Sequence, residues 1–224
     1  MALGLAEKII IADDHPLFRG ALREAVLKAC PGAVIVEAES FVELQAATDE
    51  HPDADLLLLD LNMPGASGFS SLIYVRSKHG SLPAVVISAL EETWVIRRAI
   101  AHGAAGFIPK SSPMSVISEA LAAVLEGDCW LPAGIDATDA TLDQGEQTVA
   151  DRLAQLTPQQ FRVFSMLSEG LLNKQIAYEL GVSEATIKAH VTAVMKKLKV
   201  TNRTQAVLEA THLALERKLV SHTA

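Results

Sequence analysis

Short apolar runs recur along the first half of the chain, and each is followed by an amphipathic segment. The runs predict five buried strands, at residues 7–12, 33–37, 55–60, 83–88 and 105–108. The segments predict five helices, near residues 15–29, 40–50, 67–79, 91–102 and 112–127. This alternation predicts an α/β fold with a five-stranded parallel sheet covered by helices on both faces.

The alternation stops after residue 132. Residues 133–150 are rich in Asp, Thr, Gly, Ala and Gln without an apolar period, which predicts a linker. Helical periodicity then returns in four short segments, near residues 158–169, 173–180, 184–199 and 204–216. We therefore predict an α/β domain at residues 1–130, a linker at 131–153 and a small all-α domain at 154–224.

Polar side chains stand at the carboxyl ends of four predicted strands. They are Asp13 and Asp14, Asp60, Ser88 and Lys110. Because these strand ends line one edge of a parallel sheet, we expect the side chains to converge there. Three carboxylates in one pocket repel one another unless a divalent cation or a lysine offsets their charge. Oxygen ligands of this kind favour Mg²⁺ over zinc.

The charge of the chain is unevenly distributed. Residues 1–150 carry 9 Lys and Arg against 21 Asp and Glu, whereas residues 151–224 carry 10 against 6, within a net charge of −8. An acidic first part and a basic tail indicate different partners. Two cysteines without metal-site spacing and the lack of a long apolar run predict a cytoplasmic protein with no membrane association.

The basic tail contains two predicted helices joined by a short turn at Gly181, which is typical of a helix-turn-helix. One face of the second helix is apolar and should pack inward. The opposite face carries Lys188, Thr192, Lys196 and Lys199, as expected of a helix that lies in a major groove. The last helix has more apolar surface than a lone terminal helix needs. We expect homodimerisation there, through Val207, Ala210 and Leu213.

The order of the polar residues in the first domain resembles the receiver domain of two-component response regulators, with a flavodoxin-like fold. The matching segments are Asp13-Asp14, the stretch from Leu59 to Gly65, Ser88-Ala89, and Gly106 to Lys110. The resemblance implies that Asp60 accepts a phosphoryl group from a sensor histidine kinase. It implies Mg²⁺ ligands at Asp13, Asp14, Asp60 and Asn62, and phosphate-binding and switch residues at Ser88, Ala89, Phe107 and Lys110. Phe107 lacks the hydroxyl of the tyrosine common at its position.

The tail resembles the LuxR-type domain, so the whole chain looks like a NarL/FixJ-type response regulator that binds a double-stranded DNA operator. The resemblance implies base contacts by Lys188, Ala189 and Thr192, and phosphate contacts by Lys174, Thr186, His190 and Arg203. The sequence departs from the family pattern at some positions. Lys199 stands where a glycine is common, and Leu172 replaces a small polar residue, which makes Asn173 the expected helix cap.

Two other functions are compatible with the residues. A phosphorylation-independent transcription regulator could keep an intact pocket and use its receiver only to bind proteins. An aspartyl-phosphate phosphatase would also use an α/β sheet, but it would be expected to carry its nucleophile in an Asp-x-Asp motif after the first strand. Here the first strand ends in adjacent Asp13-Asp14, and the lone Asp60 follows the third. We therefore expect a regulator and not an enzyme.

Overall fold

The computed structural model describes residues 8–66, 68–136 and 140–213, apart from the side chain of His212. Its first part is one parallel sheet with the strand order β2-β1-β3-β4-β5. The strands are β1 (Lys8–Ala12), β2 (Val34–Ala38), β3 (Leu56–Asp60), β4 (Ala84–Ser88) and β5 (Gly106–Pro109). All five predicted strands are confirmed, because each begins and ends within one residue of its predicted limits.

The central strands are apolar because both faces of the sheet are covered. The side chains of Leu57 and Leu59 lie in one core cluster and those of Leu56 and Leu58 in the other, since successive side chains alternate between faces. The covering helices are α1 (Pro16–Ala29), α2 (Phe41–Glu50), α3 (Ser70–Lys78), α4 (Thr93–Ala101) and α5 (Met114–Leu125). This doubly covered sheet confirms the predicted α/β fold.

The remaining helices form a C-terminal helical unit. They are α6 (Gln144–Leu153), α7 (Pro158–Ser168), α8 (Asn173–Glu179), α9 (Glu184–Leu198) and α10 (Arg203–His212). The side chain of Ser183 accepts a hydrogen bond from the backbone amide of Thr186 and so caps α9. The turn before it contains Gly181, with φ +62°. Helices α8 and α9 thus form the predicted helix-turn-helix.

Two local expectations are wrong. Residues 144–153 form helix α6 within the predicted linker, because Asp143 caps its start and Val149, Ala150 and Leu153 bury one face. The cap of α8 is Leu172 and not Asn173, which is the first helical residue. Leu172 has the extended backbone of a cap residue but no side-chain oxygen to offer. The last predicted helix was expected to reach residue 216, and residues 214–216 lie outside the described part of the chain.

The helical unit packs against α2, α3 and α4 of the α/β unit. The ring of Phe161 on α7 lies 4.8 Å from that of Phe41 and 5.3 Å from that of Tyr74, measured between ring centroids. The backbone amide of Phe69 donates a hydrogen bond to the carbonyl of Leu213, at the end of α10. The two units therefore share one apolar core on this side of the sheet. Among the described helices, none is long and apolar enough to cross a membrane.

Candidate functional site

The polar residues predicted to converge do lie together at the carboxyl edge of the sheet. The ammonium of Lys110 lies 2.7 Å from Oδ2 of Asp13 and 2.8 Å from Oδ2 of Asp60. One ligand atom from each of Asp13, Asp14, His15 and Asp60 lies within 4.8 Å of the others. Residues separated by almost fifty positions in the sequence thus form one cluster, because β1 and β3 are neighbours in the sheet.

Backbone hydrogen bonds fix the two buried carboxylates. Oδ1 of Asp13 accepts a hydrogen bond from the amide of His15, and Oδ1 of Asp60 accepts one from the amide of Asn62. Both aspartates are only 1% exposed. The side chain of Asp14 is 29% exposed. The arrangement therefore combines two immobilised carboxylates with a third that solvent and ligands can reach.

For both Asp60 and Lys110, burial shifts the pKa in one direction and the hydrogen bonds between them shift it in the other. Burial raises the pKa of Asp60, and hydrogen bonds from Lys110 and Asn62 only partly offset that effect, so the pKa lies above its ordinary value. Burial alone would lower the pKa of Lys110. Its hydrogen bonds to Asp13 and Asp60 outweigh burial, and its pKa lies above the ordinary value. The lysine therefore stays charged and offsets one of three carboxylates.

The donor set of the cluster fits a hard divalent cation. Carboxylate oxygens at this spacing are ligands that Mg²⁺ accepts in proteins. A single ammonium cannot balance three carboxylates, so a divalent cation would also neutralise the remaining repulsion. The acidic cluster could therefore hold a metal ion.

Three of the four predicted switch residues, Ser88, Ala89 and Lys110, line an open cavity of about 460 Å³ next to Asp60. Ser88 is buried at the end of β4, and its Oγ accepts a hydrogen bond from the amide of Leu90 at 3.1 Å. Ala89 is exposed at the cavity, where it leaves room above the carboxylate. Phe107 is fully buried within β5 and does not line the cavity.

His15 belongs to the site although the sequence indicated only a helix start. It is the N-cap residue of α1, with Pro16 at the first helical position. Its Nδ1 nevertheless lies 2.6 Å from Oδ1 of Asp14 and 4.0 Å from Oδ2 of Asp60. Adjacency to the Asp13-Asp14 pair was the only sequence signal that could have placed it here.

The helix-turn-helix presents most of its predicted contact residues to solvent. The exposed residues are Lys174, Thr186, Lys188, Ala189 and Thr192. On the inner side of α9, Ile187, Val191, Val194 and Leu198 are buried, as the sequence pattern predicts. The outward face of α9 is thus exposed and combines lysines with small side chains.

Other predicted contact residues are engaged within the chain. The guanidinium of Arg203 donates to the carbonyls of Leu167 and Leu171, so it ties α10 to the end of α7. His190 is half-buried. At the expected dimerisation surface, Ala210 and Leu213 are buried and Val207 is partly exposed. Homodimerisation through these three residues stays a prediction.

Comparisons with known proteins agree with the structures of both the α/β unit and the helical unit. A family model described as a response regulator receiver domain matches residues 9–122. A second, described as bacterial regulatory proteins of the luxR family, matches residues 154–210. The chain is 41% identical over 208 residues to a glycerol metabolism activator of Pseudomonas putida, with 91% of this chain and 94% of that protein covered.

A second relative is the nitrate/nitrite response regulator protein NarL of Escherichia coli strain K12. It is 31% identical over 201 residues, which cover 89% of this chain and 93% of NarL. Among solved structures, the RcsB response regulator of Salmonella typhimurium is similar, with a TM-score of 0.54 at 23% identity over 93% of this chain and 99% of that one. A further RcsB structure, from Salmonella enterica serovar Typhimurium and bound to a promoter with the phosphomimetic BeF3−, has a TM-score of 0.54 at 24% identity and covers 93% of this chain and 100% of that one. These likenesses support the fold.

Proposed function

This chain belongs to the response regulators that join a receiver domain to a LuxR-family DNA-binding domain, and from that premise we propose that Asp60 is its phosphoacceptor. The observation that carries the proposal is the contact of one ammonium, on Lys110, with two buried carboxylates at the edge of the sheet. Asp60 is the carboxylate that also lines the open cavity, where a phosphoryl donor can enter. The donor is a phosphohistidine of a sensor histidine kinase.

In the reaction, an Asp60 oxygen forms a bond to phosphorus while the bond between phosphorus and the imidazole nitrogen of the donor breaks. Lys110 binds an oxygen of the transferred group, and the Ser88 hydroxyl turns to donate to another. Asp14, Asp60 and the carbonyl of Asn62 would hold Mg²⁺, with Asp13 acting through a water molecule. When bound, the ion offsets the charge that develops during transfer.

The same chain binds an operator through α9 and acts on transcription as a homodimer. The exposed face of α9 supports this function, because a helix with Lys188, Ala189 and Thr192 outward can enter a major groove. Thr192 is short and its hydroxyl donates to the carbonyl of Lys188, which leaves fewer strong contacts to guanine than a lysine would supply. Lys174 and Thr186 are exposed, which supports phosphate contacts that would orient the helix without reading sequence.

Intact-mass measurement tests the phosphoacceptor. The purified chain is incubated with Mg²⁺ and acetyl phosphate, beside Asp60→Asn and the matched control Asp53→Asn. Asp53 is exposed and pairs with Lys8 at the opposite edge of the sheet. We expect a single phosphoryl adduct on the wild type and the control and none on Asp60→Asn. An adduct that persists on Asp60→Asn would contradict the assignment.

Selection of bound fragments from a genomic DNA library tests the proposed binding of α9 to an operator. The full chain should enrich a discrete set of fragments, and Lys188→Ala should lose that enrichment because it removes a charge from the reading face. Enrichment that is unchanged in Lys188→Ala would show that α9 does not read the operator.

A further inference from the structure

We propose that His15 is a metal ligand of the acidic cluster, and that its imidazole nitrogen makes the site select a first-row transition cation over Mg²⁺. The proposal rests on the proposed function, since it concerns the cation that the phosphoacceptor site takes. Three features of the structure support it: the position of the imidazole ring, an oxygen beside the ring that lacks a hydrogen bond, and a donor set that combines oxygen with nitrogen.

The imidazole of His15 lines the cavity beside Asp60. His15 is the N-cap residue of α1, where its backbone is extended, with φ −91° and ψ 103°. Its amide donates a hydrogen bond to Oδ1 of Asp13 at 2.8 Å, which ties the backbone of the histidine to a buried carboxylate of the cluster. The side chain itself is 64% exposed. The ring is thus anchored at the cluster and still accessible to a cation from solvent.

The separations between the donor atoms are close to those of a coordination sphere. Nδ1 of His15 lies 2.6 Å from Oδ1 of Asp14 and 3.4 Å from Oδ1 of Asp13. It lies 4.0 Å from Oδ2 of Asp60. In an octahedron with bonds of about 2.1 Å, neighbouring ligand atoms are about 3 Å apart and opposite ones about 4.2 Å apart. Small rotations of these side chains would therefore let one cation contact the nitrogen and the carboxylates together.

A carboxylate oxygen beside the ring lacks a hydrogen bond. Oδ1 of Asp14 is a buried atom that receives no hydrogen bond from the residues that the structure describes, although Nδ1 of His15 lies only 2.6 Å away. The contact therefore has the length of a hydrogen bond without its geometry. A buried carboxylate oxygen needs a hydrogen bond or a cation to offset its desolvation. A cation shared by this oxygen and by Nδ1 would supply the missing partner.

The nitrogen ligand determines which cation this donor set prefers. Mg²⁺ takes oxygen ligands and keeps several of its water molecules, so it gains little from an imidazole. First-row transition ions accept imidazole nitrogen, and their affinity for a given site generally rises from Mn²⁺ through Co²⁺ to Cu²⁺. His15 therefore stabilises a bound transition ion, whereas a water molecule takes the place of the ring when Mg²⁺ is bound.

Isothermal titration calorimetry of the full chain, with Co²⁺ and separately with Mg²⁺, tests this selectivity. His15→Phe keeps a ring of similar size and removes both nitrogens. The ratio of the Mg²⁺ dissociation constant to that of Co²⁺ should fall at least tenfold in this variant, because only Co²⁺ loses a ligand. The control His51→Phe, at the C-cap of α2, should keep the ratio of the wild type. A fall of less than tenfold in His15→Phe would overturn the proposal.

Proton NMR of the chain with one equivalent of Co²⁺ shows whether the ring itself is the ligand. Because Co²⁺ is paramagnetic, an imidazole bound through Nδ1 gives a strongly shifted Nε2–H signal that disappears in deuterated water. The signal should be present in the wild type and in His51→Phe and absent from His15→Phe. A shifted signal that persists in His15→Phe, or none in the wild type, would overturn the proposal.

Neither measurement contains a phosphoryl donor, so the results are separable from those on the proposed function. Co²⁺ selectivity that depends on His15, in a chain that forms no adduct on Asp60, would contradict the phosphoacceptor and support the histidine ligand. An adduct on Asp60 without that selectivity would reject the histidine ligand alone.

Discussion

Replacement of Lys110 by methionine should destabilise the receiver unless a metal ion takes over the lost charge. The ammonium lies 2.7 and 2.8 Å from two carboxylates that are each 1% exposed. At an effective dielectric constant of about 20, each contact is worth roughly 6 kcal/mol before desolvation is counted. Because desolvation of the three groups cancels most of that gain, the net loss is about 3 kcal/mol, typical when one partner is removed from a buried ion pair.

Urea denaturation followed by circular dichroism, with a chelator present, measures this loss. A deficit of about 3 kcal/mol corresponds to a fall of roughly 6 to 12 °C in Tm for a chain of this size. Saturating Mg²⁺ should at least halve the deficit, because a divalent cation at Asp13, Asp14 and Asp60 replaces the missing positive charge. The stabilisation by Mg²⁺ should therefore be larger in Lys110→Met than in the wild type.

Lys188→Met is the matched control for this prediction. Its ammonium lies 3.2 Å from Glu184 on the exposed face of α9, and such pairs are worth only about 0.3 to 0.5 kcal/mol. We expect Mg²⁺ to stabilise Lys188→Met by the same amount as the wild type, because the acidic cluster is unchanged. If Lys110→Met lost less than about 1 kcal/mol in chelator, the reasoning would be refuted, since Asp13 and Asp60 could not then both be charged and buried.

Three further predictions concern local features. Leu172→Ser should stabilise the helical unit by about 1 kcal/mol, because the exposed leucine sits at an N-cap and offers no acceptor; an unchanged midpoint of urea denaturation would contradict this. Lys199→Gly should raise stability by up to about 1 kcal/mol over Lys199→Ala, since residue 199 has φ 57°, and equal midpoints would show no strain. Burial raises the pKa of Glu146, but hydrogen bonds from His102 and Arg98 outweigh it and leave the pKa below its ordinary value. The Glu146 contact should therefore be fully present above about pH 4.3 and weaken as pH falls through the lowered pKa; domain separation measured by small-angle scattering that does not increase there would contradict it.

The sequence contained enough information for the sheet and for the residues at its edge. Apolar runs such as Leu56–Leu59 occur where a strand is covered on both faces, so they mark the central strands without any knowledge of the fold. Once the strands are parallel, topology alone brings Asp13, Asp60 and Lys110 to one edge. The amphipathic period of α9 likewise separated its buried face from its exposed one.

Helix α6 and its role could not be predicted from the sequence. Its apolar positions are few, and Glu146 reads as a surface residue because an isolated glutamate is rarely buried. Only the packing of α6 against α4 supplies the partners, Arg98 and His102, that make the burial possible. Contacts between residues more than forty positions apart leave no periodic pattern of apolar and polar residues in the sequence.

Tertiary structure also decided which surfaces of the helical unit remain exposed to solvent and to partners. The sequence placed apolar residues on α10 and polar residues on α9, but an apolar face can pack within its own chain or against another. In the structure, Leu213 is buried and its carbonyl is bound by Phe69, whereas Lys188 stays exposed. The chemistry of each surface was thus determined by the local sequence. The packing of the two domains determined which of these surfaces the receiver contacts. Burial depends on the whole set of neighbours and not on any one segment.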